Sequence, residues 1–115
     1  MLFRSRRLSK EEWVEWGSRA VWHISSVRAN DNHEAKFPLE LPRRVIRLLT
    51  EPGDTVLDCF IGSGTTAVAA ILEGRHFIGV DKVKKHVALA RRACASARHK
   101  AAQQSRPSRD RQGAV

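Results

Sequence analysis

Two carboxylates and a run of small residues hold the chemistry of this sequence. Asp58 closes the apolar run Val56-Leu57 and is followed by Cys59-Phe60-Ile61 and then Gly62-Ser63-Gly64-Thr65-Thr66. A second apolar run, His76 to Val80, closes on Asp81. Glycines separated by one residue let a backbone turn tightly and come close to a ligand. The hydroxyls of Ser63, Thr65 and Thr66 add donors and acceptors beside it. Gly62, Gly64 and Ala67 fit a G-x-G-x-x-A pattern, and Asp81 stands about 20 residues on, where an acid can accept both hydroxyls of a ribose. Such a set suits an adenosine-containing cofactor.

Asp58 narrows the choice of cofactor. A dinucleotide presents its pyrophosphate to the glycine loop and to the helix N-terminus behind it. A carboxylate four residues before Gly62 would repel that anion, and would instead attract a cation. S-adenosylmethionine carries an α-ammonium group and a sulfonium, so its methionine end matches the charge. The competing reading makes Asp58 a buried capping carboxylate unconnected with any ligand.

These residues require a β-α-β frame. Thr55–Phe60 is apolar enough for a central strand covered on both faces. Thr65–Glu73 reads as a helix with Gly74 at its C-terminal cap, and His76–Asp81 as a second buried strand. The last helix runs from Lys82 to about Arg98, with Val83, Val87, Ala90 and Cys94 on one face. Arg91, Arg92 and Arg98 lie in its C-terminal half, where the dipole favours them. Upstream, Leu41, Val45, Leu48 and Leu49 share one helical face, with Pro42 in the first turn and Arg43, Arg44 and Arg47 outward. Glu51-Pro52-Gly53-Asp54 reads as a type II turn. Nearer the start, Ser9 and Glu12 have capping-box spacing for a short helix to Trp16. Ala20–Ile24 suits a short strand or extended segment. Trp13, Trp16 and Trp22 could stack on bases, but aromatic anchors are commoner.

Composition sets the outer limits. The chain has 115 residues, and 21 Lys and Arg against 12 Asp and Glu give a net charge of +9. A surplus of that size favours a polyanionic partner such as DNA, although much of it sits in the tails. No apolar run reaches the roughly 18 residues of a membrane span, and Met1 to Arg7 precedes no signal-type apolar region. Cys59 and Cys94 are not spaced as a metal knuckle or redox pair. They are expected to be reduced, partly buried thiols in a cytoplasmic protein. The expected organisation is an N-terminal helix and extended segment over residues 1–30, a cofactor-binding part over 31–98, and a disordered basic tail over 99–115.

Asp58-Cys59-Phe60-Ile61-Gly62-Ser63-Gly64-Thr65-Thr66 resembles the Asp-Pro-Phe-x-Gly-Ser-Gly-Thr-Thr motif of DNA amino-methyltransferases, which modify adenine N6 or cytosine N4. His33–Pro38 with Leu41–Leu49 resembles the tenth motif of that family. Gly74–Asp81 resembles the second, whose acid holds the ribose. The order is that of the permuted β-type, and the match covers about residues 11–93. Cys59 replaces the usual proline, and Asp81 the commoner glutamate. The resemblance implies a partial Rossmann-like methyltransferase fold of class α/β, an incomplete parallel sheet with flanking helices. It also implies S-adenosylmethionine binding by Lys36, Phe37, Pro38, Asp58, Phe60, Gly62, Ser63, Gly64, Thr65, Thr66 and Asp81, with DNA as partner and no metal.

The family's catalytic tetrapeptide, a polar residue followed by Pro-Pro and an aromatic, is not in this sequence, which has no Pro-Pro pair and no tyrosine. The target-reading region is also missing. The expectation is therefore a fragment, or one product of a split methyltransferase, inactive by itself and dependent on a missing N-terminal half. Two other readings stay open: a stand-alone S-adenosylmethionine-binding module, and a basic DNA-binding accessory protein.

Overall fold

In a computed structural model of the chain, the structure describes residues 8–26 and 37–105. The expected entry to the second helix at His33–Lys36, the basic start of the chain and most of the C-terminal tail lie outside the described residues.

The N-terminal segment folds where the capping box predicts. Ser9 accepts the Glu12 amide at 3.1 Å, and Glu12 reaches back to the Ser9 amide at 2.9 Å. They start α1, Lys10–Glu12, which widens into a π turn over Trp13–Gly17. Of the two forms expected for Ala20–Ile24 the strand is not formed: Ala20 lies in a bend and Val21–Ile24 has no regular structure. Its role is to carry Trp22, whose indole N–H donates to the Trp16 carbonyl at 3.0 Å. Trp16 and Trp22 are half-buried, whereas Trp13 is 36% exposed.

Helix α2, Glu40–Leu49, corrects the sequence expectation about its faces. Its buried residues are Pro42 and Ile46, while Leu41, Val45 and Leu49 are exposed. The helix carries two apolar stripes, and Ile46 is the one that fits against the flat alanine surface of Ala69 and Ala70 on the next helix. The arginines do not point idly outward. Arg43 pairs with Glu73 at 2.6 Å, and Arg47 with Glu12 at 2.7 Å. Arg44 pairs with Glu40 at 2.9 Å and lies over the Trp16 and Trp22 rings at 5.4 and 5.6 Å. Guanidinium groups stack on indoles while keeping their hydrogen bonds, so this layer ties the N-terminal segment to α2.

The turn at Glu51–Asp54 forms as expected, with Gly53 at φ 91° and the Asp54 amide bonded to the Glu51 carbonyl at 3.0 Å. It leads into β1, Thr55–Asp58, then α3, Thr65–Leu72, then β2, His76–Gly79. The strands are parallel, with Val56 opposite Phe77 and Leu57 opposite Ile78. Val56 and Phe77 face the helices and meet the core of Ile46, Ala69 and Ala70. A second core joins Ile61, Ala67, Ala90 and Cys94.

Coverage on both sheet faces, expected from the apolar strand composition, is not found among the described residues. The other side of the sheet presents Leu57 at 62% and Ile78 at 55% exposure. Helices α2, α3 and α4 (Lys84–Gln104) supply a single layer, which covers one face of a two-stranded sheet.

Helix α4, Lys84–Gln104, outruns its expected end near Arg98. His99–Gln104 contains no breaker, and its alanines and glutamines favour continued helix. The expected tail boundary at residue 99 therefore moves to Ser105, and Arg91, Arg92 and Arg98 become mid-helix residues. The cysteines also differ from the expected pair of partly buried thiols. Cys59 is exposed at a strand end, whereas Cys94 is buried against α3 and its thiol pKa is pushed up by that burial.

Arg75 is a buried cation that sequence reasoning passes over. Its guanidinium donates to the Thr50 hydroxyl at 2.9 Å, the Thr50 carbonyl at 2.7 Å and the Glu73 carbonyl at 2.5 Å. It closes the C-terminal ends of α2 and α3 onto each other, where helix carbonyls lack partners of their own. The only advance signal is an arginine placed directly after the Gly74 cap.

Candidate functional site

The site is built at the carboxyl ends of β1 and β2, where parallel α/β sheets bind ligands. The loop between β1 and α3 takes two left-handed glycines, Gly62 at φ 53° and Gly64 at φ 96°. Gly64 is also wedged against the last helix. A Cβ added there would lie 2.8 Å from the Ala90 Cα, closer than such contacts allow. Glycine thus fixes both the loop shape and the approach of α3 to α4.

Asp58 ends β1, and its Oδ1 accepts the Phe60 amide at 2.9 Å. Its backbone carbonyl receives the Val80 amide at 2.9 Å, which ties the two strand ends together. The local capping role and a ligand role are compatible here, because an ionised carboxylate has roughly four lone-pair positions.

Asp81 does more than the spacing rule requires. Its Oδ2 accepts the Gly62 amide at 3.0 Å, and its Oδ1 the Val83 amide at 2.8 Å. His86 Nδ1 stands 3.2 and 3.3 Å from the two oxygens. The Val83 amide is the largest influence holding this carboxyl below its usual range. Partial burial works in the opposite direction, and the Gly62 amide and His86 add to the downward effect of Val83, so that the net shift is downward. Asp81 is therefore an ionised acceptor that also pins the glycine loop to β2. The motif spacing does not single out His86. Its position five residues after the acid, in the first turn of α4, is the available signal.

A cavity of about 280 Å³ joins several of the sequence-selected residues: Phe37, Ser63, Gly64 and Thr65 line it with Leu39, Val68 and Ala93. Pro38 lies half-buried beside Phe37, and Thr66 follows in the first turn of α3. Phe60 stands 89% exposed on the loop, turned out to solvent. Lys36 lies outside the described residues. The structure therefore gathers Phe37, Ser63, Gly64 and Thr65 around one hollow. Asp58, Gly62 and Asp81 do not line that hollow; they stand at the strand ends, with Asp81 bonded to the Gly62 amide.

Two carboxylates flank a loop of hydroxyls and close-approaching backbone, which suits a ligand bearing a cationic head and vicinal hydroxyls.

The chain is similar to known DNA methyltransferases. Type II methyltransferase M.BglI of Bacillus subtilis is 66% identical over 83 residues, spanning 72% of this chain and 24% of that protein. The DNA adenine methyltransferase YhdJ of Escherichia coli K12 is 36% identical over 88 residues, or 73% of this chain and 30% of its own length. The crystal structure of TTHA0409 of Thermus thermophilus, complexed with S-adenosyl-L-methionine, superposes with a TM-score of 0.65 at 37% identity. That match covers 80% of this chain and 34% of TTHA0409. The chain thus spans about a quarter to a third of the length of these relatives. The family profile described as DNA methylase matches residues 4–92, most of the chain. With its partial Rossmann-like α/β fold, the chain belongs to the N6/N4 DNA methylase family.

Proposed function

We propose that this chain is the S-adenosylmethionine-binding part of a site-specific DNA methyltransferase acting on adenine N6 or cytosine N4, within the cytoplasm. The observation that carries the reading is the placement of Asp58 and Asp81 at adjacent parallel strand ends, on either side of the Gly62–Thr66 loop. Asp58 would hold the ammonium group. Asp81 would accept the ribose hydroxyls while its bonds to the Gly62 and Val83 amides keep it ionised and oriented. Ser63, Thr65 and Thr66 would bond the methionine carboxylate and ammonium, and Phe37 and Pro38 would close the apolar side, with Lys36 next to them in sequence. Phe60 would contribute contact from the loop. When bound, the cofactor supplies an electrophilic methyl group to the target amino nitrogen. What these residues contribute is position and charge, the terms on which such a transfer depends.

Target recognition and the groups that hold the base would come from a further segment, in the same or a separate polypeptide, because the chain has no Pro-Pro-aromatic tetrapeptide. DNA is the proposed substrate of the completed enzyme. The arginines of α2 are not offered as phosphate contacts, since Arg43, Arg44 and Arg47 are held in ion pairs.

Titration calorimetry with S-adenosylmethionine tests the reading. Asp58→Asn keeps an acceptor for the Phe60 amide but removes the charge. It should weaken binding by about 10–100-fold, the value of a charge-assisted bond of about 1.5–3 kcal/mol. Equal affinity in the unmodified protein and the variant would sink the assignment of Asp58.

A further inference from the structure

His86 and Asp81 face each other across the start of α4. Asp81 follows β2, Val83 is the N-cap, and His86 lies in the first turn with its amide bonded to the Val83 carbonyl at 3.0 Å. The helix backbone therefore fixes where the imidazole begins. Its Nδ1 stands 3.2 Å from one Asp81 oxygen and 3.3 Å from the other. Each oxygen already holds one amide, Oδ1 that of Val83 and Oδ2 that of Gly62. A ring nitrogen shared almost equally between the two resists rotation of the carboxylate in either sense, because a turn lengthens one contact. An ionised carboxylate only accepts, so Nδ1 is the nitrogen that carries the proton.

Exposure separates the two partners. The Asp81 side chain is 11% exposed and that of His86 45%. Water reaches the imidazole easily and the carboxylate poorly, so solvent does not simply replace a donor taken from Asp81. Among the described residues, His86 is the side chain that bonds this carboxylate. Helix α3, packed against α4, has no titratable residue from Thr65 to Leu72, and Ile61–Gly64 has none. Lys82, Lys84 and Lys85, around the start of α4 itself, are exposed. A carboxylate has roughly four acceptor positions. Two go to the amides, and the imidazole contact, longer than either amide bond, leaves capacity for hydroxyl donors.

We propose that His86 is a positioning residue of the cofactor site, whose ring N–H holds the Asp81 carboxylate in the orientation that accepts ribose hydroxyls without itself touching the cofactor. This deepens the function proposed above and rests on it for the ligand. The downward shift of the Asp81 carboxyl, to which His86 contributes, agrees with it.

Two variants separate the bond from the fold. His86→Phe keeps a ring and removes the N–H, while His86→Asn places an amide N–H near the position of Nδ1. The first measurement needs no cofactor: carbon-13 NMR of the Asp81 carboxyl in the full 115-residue chain. In His86→Phe its titration midpoint should move up toward the ordinary carboxylate range, and His86→Asn should recover part of the difference. The second is titration calorimetry with S-adenosylmethionine and with its 2′,3′-dideoxy analogue. His86→Phe should weaken S-adenosylmethionine by about 3–10-fold, the value of one hydrogen bond, and His86→Asn by about twofold or less. The dideoxy analogue, which has no hydroxyls to offer Asp81, should bind the unmodified chain and His86→Phe equally.

The proposal is overturned if His86→Phe leaves the Asp81 midpoint where it was, or weakens the dideoxy analogue as much as S-adenosylmethionine. It is also overturned if His86→Phe tightens S-adenosylmethionine, which makes the imidazole a competitor of the ribose. A midpoint that moves as described, in a chain that takes up no S-adenosylmethionine, would defeat the proposed function and leave the hold of His86 on Asp81 standing.

Discussion

Replacing Gly64 by alanine separates two demands that the loop places on one residue. Gly64 needs a left-handed backbone, φ 96°, and it needs space, since its added Cβ would meet the Ala90 Cα at 2.8 Å and the Ala90 Cβ at 3.0 Å. Gly53 has nearly the same backbone, φ 91°, with nothing within 4 Å of its added Cβ. The pair is thus a matched control. Left-handed strain costs about 1–2 kcal/mol for a residue with a Cβ. The stiffer unfolded chain returns about 0.4–1 kcal/mol. Gly53→Ala should therefore lose about 1 kcal/mol or less. Gly64→Ala adds the cost of pushing α4 away from α3, about 1–3 kcal/mol for overpacking, because the contacted atoms are helix backbone that cannot rotate aside. At about 4–8 °C per kcal/mol, thermal melts followed by far-UV circular dichroism should fall by about 8 °C or less for Gly53→Ala, and by about 4–24 °C more than that for Gly64→Ala. Melting temperatures within about 2 °C of each other would show that the α3–α4 contact at Gly64 is not tight, and the packing argument would fail.

Other consequences follow from single residues. Arg75→Met should destabilise the fold by about 2–3 kcal/mol, measured by urea titration, because the Thr50 and Glu73 carbonyls lose a charged donor in a buried place. Asp81 has a folded pKa below its unfolded value of about 3.9, so the unfolded chain holds more protons between the two. Its contribution is complete above the unfolded value and is lost as pH falls through the folded one. Acid unfolding curves should show Asp81→Asn less sensitive to pH below about 4 than the unmodified protein; parallel curves would contradict this. Trp22→Phe removes the indole bond to the Trp16 carbonyl and should cost about 0.5–1.5 kcal/mol. The loss should appear first as faster amide exchange in residues 9–22, with β1 and β2 unaffected.

Local signals in the chain were enough for most of the frame. Pro52-Gly53 specified its turn because only a left-handed φ closes it, and Gly74 ended α3 at φ 73° for the same reason. Ser9 and Glu12 specified their own cap because both partners lie within one turn. The spacing of Asp58, Gly62, Gly64 and Asp81 told of a β-α-β unit, since each is fixed by a strand end, a loop or a helix start. Where packing partners decide, the sequence was silent or misleading. Periodicity offered Leu41, Val45, Leu48 and Leu49 as the apolar stripe of α2; of these only Leu48 is half-buried, and the alanine surface of α3 accepted Ile46 instead. Two apolar stripes on one helix look alike until a neighbour selects one.

Alone, the sequence determined that a carboxylate, a glycine loop and a second carboxylate would be carried in this order on strand, turn and strand. That follows from local conformational preference and from the alternation of apolar and polar residues. Only the tertiary structure decided that Asp81 would also grip the Gly62 amide, that Arg43, Arg44 and Arg47 would be consumed in ion pairs, and that no described residue would bury the Leu57–Ile78 side. Each of these depends on which distant segment lies alongside. An apolar strand states that both its faces should be covered, and the packing of the described chain supplies cover for only one.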